Sequence, residues 1–353
     1  MKSASAFGCR SWPINCQRRV KSPVKKLLLT GLRWIGLVVL ASILAWTGTG
    51  LAMAAGGWKN PPRGVFIEVD GRKQRLVCEG EARPDEPTII FESGAYSAAA
   101  DWGYLQPEVA KTGRTCSYDR AGMGWSEPSK APRDPGTMAG ELKALLTAAG
   151  EKGPYILVGH SMAGLLTRAY ISQNPQDVVG LVLIDAADPS AISIPEAQVW
   201  IKRYQRLAQV GAGFAQFGLV KPLAPFYANR IGLSGIPLKE KRRMFGAPSH
   251  MRASAAEISA TIDGAQAAIA ADPYLEAIPV ATVSAGPISP GRDAWKEAQA
   301  RAARLSKRGT SVNIDAANHT TILGPVYGQA VLEAIARVKR DAVADMTKSA
   351  DRP

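Results

Sequence analysis

From residue 65 onward the chain alternates short apolar runs with stretches whose apolar positions recur at helical spacing. The run "VFIEVD" (65–70) alternates apolar and polar residues, as a half-exposed strand does. Asp70-Gly71 is a hairpin-turn signal leading into "RLVCEG" (75–80). Then come "TIIFES" (88–93), "RTCSYD" (114–119), "YILVGH" (155–160), "VVGLVLID" (178–185), "IPVATVSAG" (278–286) and "SVNIDA" (311–316). The later runs are almost continuously apolar, the composition of parallel strands covered on both faces. Between them, Met138, Leu142, Leu145, Leu146 and Ala149 form one helical stripe, and Val331, Ala334, Ile335 and Val338 another. Both read as core packing. A hairpin followed by alternating strands and helices predicts an α/β domain with a mainly parallel sheet.

One interval breaks this rhythm. Residues 186–277 contain no convincing strand, yet Trp200, Tyr204 and Leu207 have helical spacing and "SAAEISATIDGAQAAIA" reads as helix. Ninety residues are too many for a loop in a compact domain. The interval is expected to be a helical cap inserted over the end of the sheet, dividing the core into 60–185 and 278–346.

The amino-terminal segment has a different character. Residues 34–55 carry no charge and are long enough to cross a hydrocarbon core of roughly 30 Å. Before them, residues 1–33 hold eight cations and no acidic residue, which accounts for most of the net charge of +13. That distribution points to a basic cytoplasmic tail and an exported domain rather than to a nucleic-acid-binding face. Two fates remain open for 34–55, a transmembrane anchor or a signal sequence cleaved near Ala52-Met53-Ala54. Arg18-Arg19 is a twin arginine in a poor surrounding pattern. Cys9 and Cys16 fall in the tail, Cys78 and Cys116 in the exported part.

The chemistry concentrates where "YILVGH" runs into "SMAGLLTRAY". Strand, Gly159-x-Ser161-x-Ala163, helix is the layout of a nucleophile elbow. A tight turn there would project the serine hydroxyl while small neighbours let strand and helix backbones pass close. Ala163 replaces the commoner glycine, a difference of one methyl. The helix N-terminus after Ser161 supplies N–H groups for a developing oxyanion. A serine nucleophile needs a base, and the whole chain offers only His160, His250 and His319.

Together with "ESGAYSAAADW" (92–102), "YDRAGMGWSEP" (118–128), "LVLIDAADP" (181–189) and "ANHTTI" (317–322), this segment resembles the α/β-hydrolase superfamily. The resemblance runs from about Val65 to Met346. It implies a mainly parallel eight-stranded sheet flanked by helices, with a helical cap. It also implies that His319, between the last strand and the last helix, is the base. His160 adjoins the nucleophile and reads as a packing or hydrogen-bonding residue of the elbow. His250 lies inside the cap and reads as a surface or cap residue.

The acid that orients the base stays open. Many members carry it just after the seventh strand, where the first carboxylate here is Asp293, which also reads as a helix N-cap. The haloalkane dehalogenase branch uses an acid ending the sixth strand; "NPQDVVGLVLID" has that spacing and favours Asp185, with Asp188 a third choice. The resemblance assigns the oxyanion hole to the N–H groups of Ala95 and Met162 and gives Asp119 and Arg120 a structural turn. Dehalogenases and epoxide hydrolases of the superfamily carry an aspartate where this chain has Ser161. The expected activity is therefore an esterase or lipase-like serine hydrolase acting on a small-molecule ester, with no metal or other cofactor. Other serine chemistries (amide, lactone or carbon–carbon bond hydrolysis) stay open. So does a membrane-tethered binding protein without activity, although Ser161, His319 and the glycine before Ala95 are all retained.

In the superfamily the second strand runs antiparallel to the rest, with the fourth beside it. The end of one then meets the start of the other. Cys78 and Cys116 would share that end, as a disulfide that export would preserve or as two small buried thiols.

Overall fold

The computed structural model describes residues 23–56, 61–192, 194–262, 264–288 and 293–350. Cys9, Cys16, Arg18-Arg19 and the rest of the basic tail up to residue 22 lie outside the described residues. The chain divides into two compact units, one ending at Ala45 and one beginning at Trp46.

Helix α1 (Pro23–Ala55) is uncharged after Arg33 and, by length and composition, able to cross a membrane. It begins eleven residues before the uncharged stretch read from the sequence, because Pro23 suits a first helical turn and the lysines and leucines that follow are strong helix formers. At 1.5 Å per residue a helix of 32 residues is about 48 Å long, more than a hydrocarbon core requires.

The second unit holds the sheet. Strands β1 (Val65–Val69) and β2 (Arg72–Glu79) form the hairpin; β3 (Thr88–Glu92), α2 (Leu105–Ala110), β4 (Thr115–Tyr118) and α3 (Pro135–Ala148) follow. Next come β5 (Tyr155–His160), α4 (Ala163–Gln173) and β6 (Val178–Ile184). Residues 186–277 are helical and contain no strand among the described residues. Their helices are α5 (Pro189–Ile192), α6 (Pro195–Gln216), α7 (Ala224–Tyr227), α8 (Gly235–Met244), α9 (Pro248–Ser259), α10 (Ala265–Ile269) and α11 (Asp272–Leu275). The chain then returns through β7 (Val280–Ala285), α12 (Asp293–Leu305), β8 (Gly309–Ile314) and α13 (Gln329–Ala350).

The sheet has eight strands in the order β1-β2-β4-β3-β5-β6-β7-β8. β2 runs antiparallel to β1 and β4, and all other pairs are parallel. This is the α/β-hydrolase fold. Side chains of β5 and β6 alternate between two apolar layers, which is why Ile156 to Val158 and Val178 to Ile184 are unbroken by a polar side chain. Leu157, Leu181 and Leu183 pack with the α3 and α4 residues Leu142, Leu145 and Ala169. Ile156, Val158, Val182 and Ile184 pack on the other face with Val331, Ile335 and Val338 of α13. Truncating one such buried Leu or Ile to Ala costs about 2–5 kcal/mol. The strand order reverses around β3, whose neighbours β4 and β5 lead away in opposite senses. A crevice therefore opens at the carboxyl ends of β3 and β5.

Buried ion pairs tie the cap to this core. Glu240 of α8 binds the Arg75 guanidinium of β2 at 2.6 Å and Arg63 at 3.1 Å, with Arg75 and Glu240 fully enclosed. Arg75 also reaches Asp119 at 3.2 Å. Such pairs hold position more than they add net stability, since desolvation offsets much of the attraction.

Cys78 and Cys116 stand directly opposite each other across β2 and β4, with Cα atoms 4.1 Å apart and the sulfurs bonded. The bond closes a separation of 38 residues. By chain entropy such a loop adds about 3–4 kcal/mol. Complete reduction is expected to lower the unfolding free energy by that amount in a denaturant titration. Protein purified without reductant should yield no alkylatable thiol at Cys78 or Cys116; recovery of both thiols in exported protein would refute the bridge.

Candidate active site

The crevice is built around one backbone turn. Ser161 has φ +59°, in the left-handed region that costs a residue with a side chain of order 1 kcal/mol or more. The turn is over-determined by its surroundings. The Ser161 N–H donates to the Ile184 carbonyl at 3.1 Å, and its carbonyl accepts from Gly164 at 3.1 Å and Ala187 at 2.8 Å. A Cβ at Gly159 would lie 2.9 Å from the Thr167 methyl, and one at Gly164 only 2.2 Å from the Ala187 carbonyl oxygen. Ala163 is fully buried with its methyl accommodated.

His319 follows β8 and faces the serine. Its Nε2 lies 2.8 Å from Ser161 Oγ and its Nδ1 2.6 Å from Asp185 Oδ2. The second oxygen of Asp185 accepts from the Ala285 N–H at 3.1 Å and the Gln299 amide at 2.9 Å, with Lys296 Nζ at 3.8 Å. Burial by itself would raise the Asp185 pKa. Its hydrogen bond and charge interaction with His319, aided by those donors, outweigh burial and hold the group well below the usual carboxylate range. Asp185 is thus fixed as the anion facing His319.

The other candidates lie elsewhere. Asp293 is the exposed first residue of α12, and the described contacts of His319 run to Asp185 instead. Asp188 is buried against Arg168 and accepts from Ser190. Ala95 and Met162 border the same cavity as Ser161 and His319. Met162 immediately precedes α4, where backbone N–H groups lack intrahelical acceptors. Gly94 lets the β3 loop come this close: a Cβ there would stand 2.7 Å from that of Ser161.

Three residues hold these parts in register, and the sequence alone did not reveal how. The Arg120 guanidinium donates to the Ser93 and Gly94 carbonyls at 2.5 and 2.9 Å, directly behind Ala95. The same group binds Glu92 at 2.6 Å and, from α9 of the cap, Glu257 at 2.7 Å. The turn containing Arg120 was legible, but its partner Glu257 sits in an alanine-rich helix with no signal in the sequence. His160 donates from Nε2 to the His319 carbonyl at 2.8 Å, and the two rings lie 4.6 Å apart. A carbonyl only accepts, which leaves the buried Nδ1 of His160 unprotonated and, among the described residues, unpartnered. Of the two readings of His250, surface or cap residue, the structure gives the second: it lies in α9 of the cap and is buried. It accepts the Gly124 N–H at 3.1 Å and donates to the Tyr96 carbonyl at 3.2 Å, one residue past Ala95.

Core and cap together line an open cavity of about 850 Å³ over Ser161. The cap contributes Ile192, Trp200, Ile201, Tyr204, Tyr227 and Phe245, so the wall facing the serine is largely apolar. Its charged residues, apart from Asp185, are the ion-paired Asp101 and Lys241 and an arginine, Arg230, whose guanidinium lies over the Tyr227 ring.

The chain belongs to the alpha/beta hydrolase fold family, whose model matches residues 87–320. It is 32% identical over 154 residues to the uncharacterized protein YqjL of Bacillus subtilis, an alignment covering 43% of this chain and 59% of that protein. The first curated relatives are thus matched over less than two thirds of their own length. Among solved structures, a thermophilic esterase from Thermogutta terrifontis superposes with TM-score 0.58 and 20% identity, covering 79% of this chain and 98% of that one. The enol-lactonase from Burkholderia xenovorans gives 0.56 and 18%, covering 78% and 99%. At these identities the structural likeness concerns the fold.

The two buried histidines make a prediction about pH. Burial is the main cause that lowers both pKa values, from 6.5 to about 3 for His160 and about 4 for His250. The unfolded chain binds these protons first, so their stabilisation is complete above pH 6.5 and is lost as pH falls toward 4. Each ring contributes a slope of at most ~1.4 kcal/mol per pH unit. Denaturant midpoints measured between pH 7.5 and 4.5 should fall accordingly, and His250→Gln should flatten the decline. An unchanged slope in that variant would contradict the assignment.

Proposed function

We propose that the protein is a serine hydrolase that cleaves the carboxylic ester of an apolar or amphipathic small molecule. The observation that carries this reading is the continuous chain of contacts from Ser161 Oγ through the His319 ring to Asp185, at 2.8 and 2.6 Å. In this reading Ser161 Oγ attacks the ester carbonyl while His319 Nε2 takes its proton. The tetrahedral oxyanion is stabilised by the N–H groups of Ala95 and Met162. Collapse expels the alcohol, which receives the proton from His319 and leaves an acyl group on Ser161. Water, deprotonated by the same imidazole, then attacks the acyl carbonyl, releases the acid and restores the serine. Asp185 keeps the imidazole oriented and stabilises its transient positive charge. The uncharged Ser161 nucleophile supports acyl transfer rather than displacement at an epoxide or alkyl halide, and the apolar cavity supports an apolar acyl or alcohol group.

Ser161→Ala is expected to abolish labelling by a fluorophosphonate probe and turnover of short-chain esters. Full turnover in that variant would end the reading. Asp185→Asn should lower kcat by ~10³–10⁴ while Asp293→Asn stays near wild type. The reverse result would move the acid to the position after β7.

In the same reading α1 anchors the catalytic domain outside the cytoplasmic membrane, supported by the cations that precede its uncharged stretch and by the Cys78–Cys116 bond. A reporter that folds only outside the cytoplasm, fused after Pro353, should be active. Activity only from a cytoplasmic reporter there would reverse the topology.

A further inference from the structure

Helix α6 has two apolar faces, and the protein interior uses one. Ile201, Ala208, Ala212 and Ala215 are buried against the rest of the cap. On the opposite side Trp200, Leu207, Val210, Phe214 and, just past the helix end, Phe217 are 53–69% exposed. Their spacings of seven, three, four and three residues align them in one stripe at about 100° per residue. A contiguous stripe of large apolar side chains is uncommon on a surface that meets only water. Lys202, Arg203 and Arg206 are exposed along it, and the sole acidic residue of the helix is Glu196 in its first turn. An apolar stripe with Arg203 within it and Lys202 and Arg206 beside it suits a helix lying in the plane of a membrane interface, with its basic side chains reaching toward anionic headgroups.

The end of this stripe is joined to the membrane-length helix. The Trp46 indole N–H donates to the Leu219 carbonyl at 2.9 Å. Gly50 approaches Gly218 so closely that a Cβ on Gly50 would stand 1.8 Å from the Gly218 carbonyl oxygen. Arg243 donates to the carbonyls of Met53 and Ala54, in the last turn of α1, at 3.0 and 2.8 Å. The segment that leaves α6 is therefore held against the end of α1. Meanwhile Ile201 and Tyr204 of α6 border the cavity over Ser161 and Trp200 lies at its edge, so one helix carries both the outer stripe and part of the candidate site.

We infer that α6 lies on the bilayer that α1 enters, its outward stripe at the boundary of headgroups and acyl chains, and that the cavity receives its apolar ester from that lipid phase. This rests on the anchor and hydrolase readings above, and its test separates the three. The full chain, with Cys9 and Cys16 replaced by Ser, is reconstituted in phosphatidylcholine vesicles containing phosphatidylglycerol. Single cysteines at Leu207, Phe214, Leu37 and Val312 carry an environment-sensitive fluorophore, and nitroxide-bearing lipids act as quencher. Labels at 207 and 214 are expected to be quenched as strongly as the label at 37 in α1, while the label at 312 on β8 is not. Quenching at 37 alone would overturn the docking and keep the anchor; no quenching at 37 would overturn both. Labels at 207 and 214 shielded from lipid and aqueous quenchers alike would show a second copy on the stripe and refute the proposal. The double variant Leu207→Glu/Phe214→Glu should hydrolyse a vesicle-borne long-chain ester at least ~10-fold more slowly while its turnover of a soluble short-chain ester is unchanged. Equal rates on both would refute lipid-phase delivery. A parent chain active on neither ester would sink the hydrolase reading and delivery together, while the quenching results would still decide the docking.

Discussion

The left-handed backbone at Ser161 is the constraint around which the rest of the site is arranged. Holding a serine there costs conformational energy, and the fold meets that cost with contacts from several segments. The end of β6 accepts the Ser161 N–H, while Gly164 and Ala187 donate to its carbonyl. Glycines at 159, 164 and 94 let three backbones converge where any side chain would collide. The result is a hydroxyl projecting from the carboxyl edge of the sheet into the cavity.

Around that turn, charge is handled in two opposite ways. Arg120 remains ionised inside the protein because two carboxylates, Glu92 and Glu257, face it and because it donates to the carbonyls of the β3 loop. Desolvation takes back much of such a pair's attraction, so its main consequence is position: it fixes the β3 loop with the cap as its counterweight. His160 and His250 are kept neutral, chiefly by burial. Each spends its N–H on a backbone carbonyl, of His319 and Tyr96 respectively, so both act as rigid polar spacers. His319 alone of the three histidines faces both Ser161 and Asp185.

The cap converts this arrangement from a bare edge into a walled cleft. Its helices are joined to the core by the buried partners of Arg75 and Arg120, and its aromatic side chains form the wall opposite the serine. Helix α6 is the thinnest part of that wall in a chemical sense, apolar toward the cavity and apolar toward the outside. The contacts of Trp46, Gly50 and Arg243 bring the end of α1 to the same part of the cap. Helix α6 therefore carries both part of the candidate site and a group of exposed apolar side chains.

The sequence by itself determined the order and kind of the core elements, because burial on both faces leaves an unbroken apolar run and helix packing leaves a 3.6-residue stripe. It also singled out Ser161, since the small residues flanking an elbow are a local requirement, and the helical nature of 186–277. Tertiary structure decided what depends on distance. Asp185 and His319 are 134 residues apart in sequence, and only the neighbouring positions of β6, β7 and β8 bring them to 2.6 Å. The spacing of "NPQDVVGLVLID" favours Asp185 over Asp293 only by resemblance, since both are carboxylates at the ends of regular elements; which one meets the imidazole follows from the sheet. The burial of His250 and its contacts were not legible for the same reason. An isolated histidine in a helix carries no sign of its partners, and those partners, Gly124 and Tyr96, come from two loops of the core that meet α9 only after the chain has folded.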